Sequence, residues 1–173
     1  FSSFIFSKFS EATSLSFDGL GDAVSTKVVN FKINSYGLIE INECDSYGEN
    51  YSLGSFYTAF TNYLGFKSIE GEFKVMGMSA YGNPKYDLSN FLSFKNQKWS
   101  NDDYGNLFDK SKYSSIFESS CNDQLIFEKT KVKRVNQINS IYDQDHFDLA
   151  ASVQLCFENS YLNFIKETLK KHN

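Results

Sequence analysis

The stretch SLSFDGLGDAVSTKVV, residues 14–29, sets two glycines and two carboxylates between segments of alternating apolar and polar residues. Gly19 and Gly21 can adopt backbone conformations closed to other residues, and their N–H groups can then form a small nest for an anion such as phosphate. Asp18, at the end of the first segment, is placed to serve as a rigid oxygen ligand for a metal ion, and Asp22 can orient a water or a ribose. Asp-Gly is also a common hairpin signal, so the loop alone fits a plain turn as well as a binding loop. A second group of this kind is GEFKVMG, residues 71–77. The Lys74 ammonium can neutralise an oxyanion, and Glu72 can position an acceptor hydroxyl. The same residues also fit a helix surface, with Met76 and Met78 turned into the core.

These residues must be positioned by the elements around them. Ala12 to Phe17 alternates as a strand, with Thr13, Leu15 and Phe17 on one face. DGLGD then reads as the turn into a second strand, Ala23 to Ile33, which places Val29, Phe31 and Ile33 on a common face. NSYG is a turn signal, and LIEINEC after it is a third strand. Short turns joining three strands make an antiparallel meander. Ser52 is an N-cap candidate for a helix carrying Leu53, Phe56, Tyr57, Phe60 and Leu64, which Gly65 ends. Residues 71–84 read as a short helix and a turn closed by Pro84. Residues 87–120 are polar, with KNQKWSNDDYGN the least structured part, and read as an excursion from the core. A long helix from about Asp145 carries one stripe of Leu149, Val153, Cys156, Phe157 and Phe164. Leu155, Leu162 and Leu169 form a second stripe, and Lys166, Lys170 and Lys171 complement the end of its dipole. This order of elements is a mixed α/β layer fold.

Composition narrows the function classes. The 173 residues are 41% hydrophobic and 17% aromatic, which is too apolar for a disordered chain and enough for one domain with a core. The net charge of −4 and a single arginine, Arg134, disfavour nucleic acid as a direct ligand. The one basic cluster, Lys129 to Arg134, reads as a solvated strand or loop face. Cys44, Cys121 and Cys156 are too widely spaced for a zinc site and fit a reducing cytoplasm. No apolar run approaches the ~20 residues that span a bilayer. His146 and His172 are not at metal-ligand spacing and read as helix-end or surface residues. The start at Phe1, without a signal-peptide pattern, suggests a piece of a longer protein.

Four blocks occur in one order: SKFSEATSLSFDGLGD, SLGSFYTAFTNYLGFK, EGEFKVMGMSAYGNP and DLAASVQLCFENSYLNFIK. Together they resemble the N-terminal catalytic domain of the O-carbamoyltransferases, the nodulation, cephamycin and tobramycin type. The family pattern reads S-x-F-x-x-A-x-x-L-x-x-D-G-x-G-[DE], then S-L-G-x-x-Y-x-x-x-T-x-x-L-G-F, then G-E-x-K-x-M-G-L-A-x-Y-G-x-P, then D-x-A-x-S-x-Q-x-x-x-E. The second and third blocks are the specific ones. The likeness covers most of residues 1–84 and 145–169, with 87–143 as a variable excursion.

The resemblance implies an actin-like ATPase, ribonuclease H-like α/β fold, of which 1–173 is part. It implies a separate C-terminal domain, not in this chain, that makes carbamoyladenylate from carbamoyl phosphate and ATP. The actin-like domain then passes the carbamoyl group to a hydroxyl of a small-molecule acceptor, with a divalent metal, usually iron, in the site. By the same resemblance Asp18 is the metal ligand from the D-G-x-G loop, and Gly19, Gly21 and Asp22 form its phosphate- and nucleotide-facing part. An H-x-x-x-H pair that completes the metal site, and a G-G-V-A-L-N adenosine segment, have no counterpart in these residues. The expected partners are therefore carbamoyl phosphate, ATP and a hydroxylated acceptor, in a cytoplasmic enzyme without nucleic-acid or membrane ligands; a homo-oligomer is compatible with this. The rival readings are a tRNA threonylcarbamoyl-type transferase and a non-catalytic actin-like module that binds nucleotide or a protein partner.

Overall fold

The computed structural model describes residues 1–21, 23–100, 102–107, 121–136 and 141–172. It is a mixed α/β structure in which a three-stranded antiparallel sheet is followed by helices. A short helix α1 (Ser2–Ser7) leads into β1 (Glu11–Gly21), β2 (Val24–Ile33) and β3 (Ile39–Gly48), with β2 in the middle of the expected meander. A 3-10 turn, Glu49–Tyr51, leads to α2 (Leu53–Tyr63). Then come α3 (Glu72–Ser79), a hairpin of β4 (Ser93–Lys95) and β5 (Lys98–Ser100), α4 (Tyr104–Leu107), α5 (Asp123–Thr130) and the long α6 (Gln144–His172).

Strand alternation sorts the sheet into two faces. Leu15 pairs with Val28 and Phe17 with Thr26, so these side chains share a face. They meet Phe164 of α6 and Phe94 of β4 there. Phe164 is the hub of this layer, its ring 5.0 Å from that of Phe94, 5.5 Å from Phe17 and Trp99, and 5.6 Å from Tyr47. Val29, Phe31 and Ile33 do share a face, as expected, but it is the opposite one. Only Phe31 is buried on it, under α1, where Phe4 stacks at 5.0 Å, while Ile33 stays exposed.

Around α2 lies the main core. Ser52 caps the helix by accepting the Ser55 N–H, and Leu53, Phe56, Tyr57, Phe60 and Leu64 are buried as the spacing predicts. Gly65 follows at φ +80°, where a Cβ would stand 2.7 Å from the Val135 carbonyl oxygen.

The polar stretch after Asp87 is not an excursion where it is described. Leu88, Phe91, Leu92, Tyr104 and Leu107 join the main core, and β4 and β5 form a hairpin within KNQK and its flanks. Asn96 and Gln97 both take positive φ at its tip, and the Glu167 carboxylate accepts both of their N–H groups. Residues 108–120 lie outside the described residues, and the residues on either side of them meet. The Asn122 N–H donates to the Leu107 carbonyl at 2.7 Å.

On α6 the first stripe is inside and the second is not: Leu155, Leu162 and Leu169 are 43, 47 and 40% exposed. Of the basic cluster, Lys129 pairs with Asp103 and Arg134 with Asp123, in a helix end and loop rather than a strand. His146 is buried at the start of α6 against the Lys133 carbonyl, and His172 lies beside Asp45 at its end. Among the described residues no helix is long and apolar enough to cross a membrane.

Candidate functional site

The DGLG segment is part of the strand rather than the turn expected for it. Phe17 pairs with Thr26 and Gly21 with Val24, so Asp18, Gly19 and Leu20 stand opposite the single residue Ser25. This is a bulge, in which the extra residues leave the ladder and their backbone groups turn to other partners. The turn into β2 falls between Gly21 and Val24, with Ala23 at φ +63°. Asp22, expected at the phosphate-facing loop, lies outside the described residues.

The start of α2 takes up the freed groups. The Ser52 hydroxyl donates to the Gly19 carbonyl at 2.6 Å, and the Ser55 hydroxyl donates to the same oxygen at 3.1 Å. Gly54 comes so close that a Cβ on it would stand 2.8 Å from the Gly19 Cα. The Asp18 side chain is exposed, and its Oδ1 accepts the Gly19 N–H at 2.6 Å. A Cβ on Gly21 would stand 2.7 Å from Asp18 Oδ2. The carboxylate thus lies against both glycines. Neither takes a positive φ, so the expected nest of N–H groups is not formed, only the Gly19 N–H being on the carboxylate. No Lys or Arg pairs with the carboxylate among the described residues. An exposed, unpaired carboxylate on a fastened backbone is a fitting oxygen ligand for a divalent cation. No group of three His, Cys, Asp or Glu converges among the described residues, at Asp18 or elsewhere.

Glu72 and Lys74 are not brought together. Two residues apart on α3, they project about 200° apart around the helix axis. Glu72 Oε1 accepts from the Thr58 hydroxyl at 2.8 Å and the Ile69 N–H at 3.1 Å, and its Oε2 is buried without a hydrogen-bond partner among the described residues. Lys74 is exposed, its ammonium 5.8 Å from the centre of the Phe66 ring. Of the two methionines that also fitted a core position, Met78 is buried and Met76 is exposed beside Phe73 and the open Gly77.

The turn after α3 is clasped to α6. A Cβ on Gly82 would stand 1.9 Å from the Phe147 carbonyl oxygen, so only glycine fits. Asp148 accepts the Asn83 N–H at 2.9 Å, and the Asn83 N–H together with the Gln144 amide holds its carboxyl below the usual range. The Ser152 hydroxyl accepts the Lys85 and Tyr86 N–H groups at 2.9 and 3.0 Å.

One network was not visible in the sequence as chemistry. The buried Tyr57 hydroxyl donates to Gln154 Oε1 at 2.8 Å, and Gln154 Nε2 donates to Glu158 Oε1 at 2.7 Å. Burial pushes the Tyr57 phenol up, and the Glu158 and Glu72 carboxylates push it further. Tyr57 passed as one more residue of an apolar stripe; the signal was its place, with Gln154 and Glu158, at the fixed polar positions of the blocks. A cavity of about 470 Å³ lies along the other flank of α6, lined by Leu88, Leu92, Ser152, Cys156 and Asn159, and it holds none of the candidate residues.

Each block therefore makes a hydrogen bond or backbone contact to another: Gly19 to Ser52, Thr58 to Glu72, Asn83 to Asp148, and Tyr57 to Gln154. Comparison with known proteins gives the same grouping a family. An uncharacterized protein of Synechocystis sp. is 38% identical over 97 residues, which are 54% of this chain and 15% of that protein's length. The model of the family described as carbamoyltransferase N-terminus matches residues 1–173, and the chain belongs to that family.

Proposed function

We propose that these residues form part of an actin-like, ribonuclease H-like catalytic domain that moves a carbamoyl group from carbamoyladenylate to a hydroxyl of a small-molecule acceptor. The family supports carbamoyl transfer in general. The observation that carries the finer reading is the Asp18–Gly21 bulge, fastened through Gly19 to Ser52 and Ser55 and leaving one unpaired carboxylate over two glycines.

In this reading Asp18 is one ligand of a divalent metal, which supplies Lewis-acid polarisation of the donor's oxygens when bound. Turning Asp18 toward the metal would release the Gly19 N–H, which then donates to a phosphate oxygen. Gly21 keeps room for that movement, and Asp22, next in sequence, would orient water or ribose. Lys74 neutralises developing negative charge on the donor. Glu72 spends one carboxylate oxygen on Thr58 and Ile69, fixing the start of the helix that carries Lys74. The donor is made from carbamoyl phosphate and ATP elsewhere in the full-length protein.

The test uses the intact protein with carbamoyl phosphate, ATP, iron(II) and a panel of hydroxylated small molecules. Mass spectrometry should find a carbamoyl ester on at least one of them. A module that only binds nucleotide would give none, and a tRNA-directed transferase would modify transcripts instead.

A further inference from the structure

Transfer to a hydroxyl needs a group that takes its proton, and Glu72 is tied to Thr58 and Ile69. We infer that Glu158 takes that proton, with Gln154 and Tyr57 as the residues that position it; this rests on the carbamoyl-transfer reading above.

Three observations place Glu158 for the task. It is exposed, it makes no ion pair among the described residues, and only its Oε1 is bonded, to the Gln154 amide. Gln154, Glu158 and Tyr161 follow at i, i+4 and i+7, and so share one flank of α6. Tyr161 packs its ring 4.9 Å from that of Phe17, the residue directly before Asp18. Glu158 therefore stands one helical turn from the contact between α6 and the bulged end of β1. The other end of the relay lies on the helix that fastens the bulge. Tyr57 belongs to α2, whose first turn holds the Gly19 carbonyl.

The relay is more than an exposed helix pair. A Gln–Glu pair at i, i+4 adds only a few tenths of a kcal/mol to a helix. Here the amide is itself oriented by a buried phenol whose hydroxyl is committed to its carbonyl, so the N–H is aimed outward at the carboxylate. A carboxylate held in this way, with one oxygen free toward solvent, is preorganised to accept a proton. As the acceptor oxygen attacks the carbamoyl carbon, its proton passes to Glu158. The new C–O bond forms while the bond from that carbon to the phosphate oxygen breaks, and AMP leaves with the electron pair. Water then takes the proton from Glu158.

The experiment compares intact wild type with Glu158→Gln, whose amide oxygen still accepts the Gln154 N–H, so the packing survives while the base is lost. Single-turnover pyrophosphate release from ATP with carbamoyl phosphate reads donor formation. Radiolabelled carbamoyl transfer to glycerol, glucose, an aminoglycoside and water reads the acceptor step. Pyrophosphate release should stay within twofold, whereas transfer kcat should fall on the order of 10²-fold with little change in acceptor KM. Tyr57→Phe and Gln154→Leu should each lower kcat severalfold, and neither should lower it further in the Glu158→Gln background. Transfer by Glu158→Gln within threefold of wild type overturns the assignment, as does an equal loss in both assays, which would make Glu158 structural. A wild type that carbamoylates none of the probes overturns the carbamoyl-transfer reading together with this assignment.

Discussion

Gly54 lies against Gly19 so closely that no side chain fits between the start of α2 and the bulge of β1. A methyl at residue 54 would meet the Gly19 Cα at 2.8 Å and its nitrogen at 3.2 Å, and both belong to backbone. Gly54→Ala should therefore displace the bulge, at a cost of about 1–3 kcal/mol. Chemical denaturation of the intact protein measures the loss, and carbamoyl transfer should fall with it. Unchanged stability would mean that the two backbones part more easily than this packing allows.

Asp18→Ala should lower bound metal and transfer activity while leaving the fold intact, because the side chain is exposed and its one hydrogen bond is to the next residue. Elemental analysis of the purified intact variant decides this. Full metal content in a folded variant would remove Asp18 from the ligand set.

Lys74→Met tests the electrostatic role. Loss of a charge that acts on the reacting group lowers kcat/KM on the order of 10²-fold. A lysine that only covers the Phe66 ring would cost nearly nothing in rate, so kinetics within twofold of wild type would end the proposal.

Acid should uncouple the far end of α6 from the sheet edge. Burial pushes the Asp45 carboxyl up, but hydrogen bonds and charge from Lys171 and His172 outweigh it and hold the group below its usual value. Lys171 Nζ is 2.8 Å from both carboxylate oxygens. A depressed carboxylate stabilises the fold above its unfolded pKa of about 4, and that stabilisation is lost as pH falls through the folded value. Asp45→Asn should cost roughly 0.5–1 kcal/mol near neutrality in urea denaturation, since the Lys171 side chain is partly exposed. The difference from wild type should shrink below about pH 4. A constant difference at all pH values would contradict the assignment.

The stripe of Leu155, Leu162 and Leu169 predicts behaviour of the 173-residue chain made alone. Three partly exposed leucines along one face favour association. Sedimentation should show oligomers, and the triple change to Gln should shift them toward monomer. A wild-type chain that is monomeric at high concentration would show that this face is not adhesive.

What the sequence displayed and what it hid follow from the kind of force involved. Alternation exposed the meander, and Ser52 and Gly65 bounded α2, because both signals are local. The bulge at Asp18–Leu20 was hidden, since glycine and aspartate mark turns more often than strand irregularities, and the contact that holds it comes from Ser52, more than thirty residues on. The hairpin at Asn96–Gln97 lacks the usual glycine; Glu167, about seventy residues away, steadies it instead. Nothing local distinguished the two sheet faces, because Phe31 and Val28 are both buried, one under α1 and one under α6. Glu72 and Lys74 were both candidates for one site because a sequence shows spacing in line, while a helix puts residues two apart on different sides.

The hydrogen bond from Asn122 to Leu107 ties together the chain on either side of residues 108–120, and Leu107 and Cys121 anchor both sides in the core. Closing a loop between such anchors costs entropy only as the logarithm of its length, about 0.6 kcal/mol for each doubling. A change in the number of residues between these anchors therefore alters the closure entropy only slightly. The clasp thus serves as a fixed pair of anchor points, and the number of residues strung between them is cheap to vary.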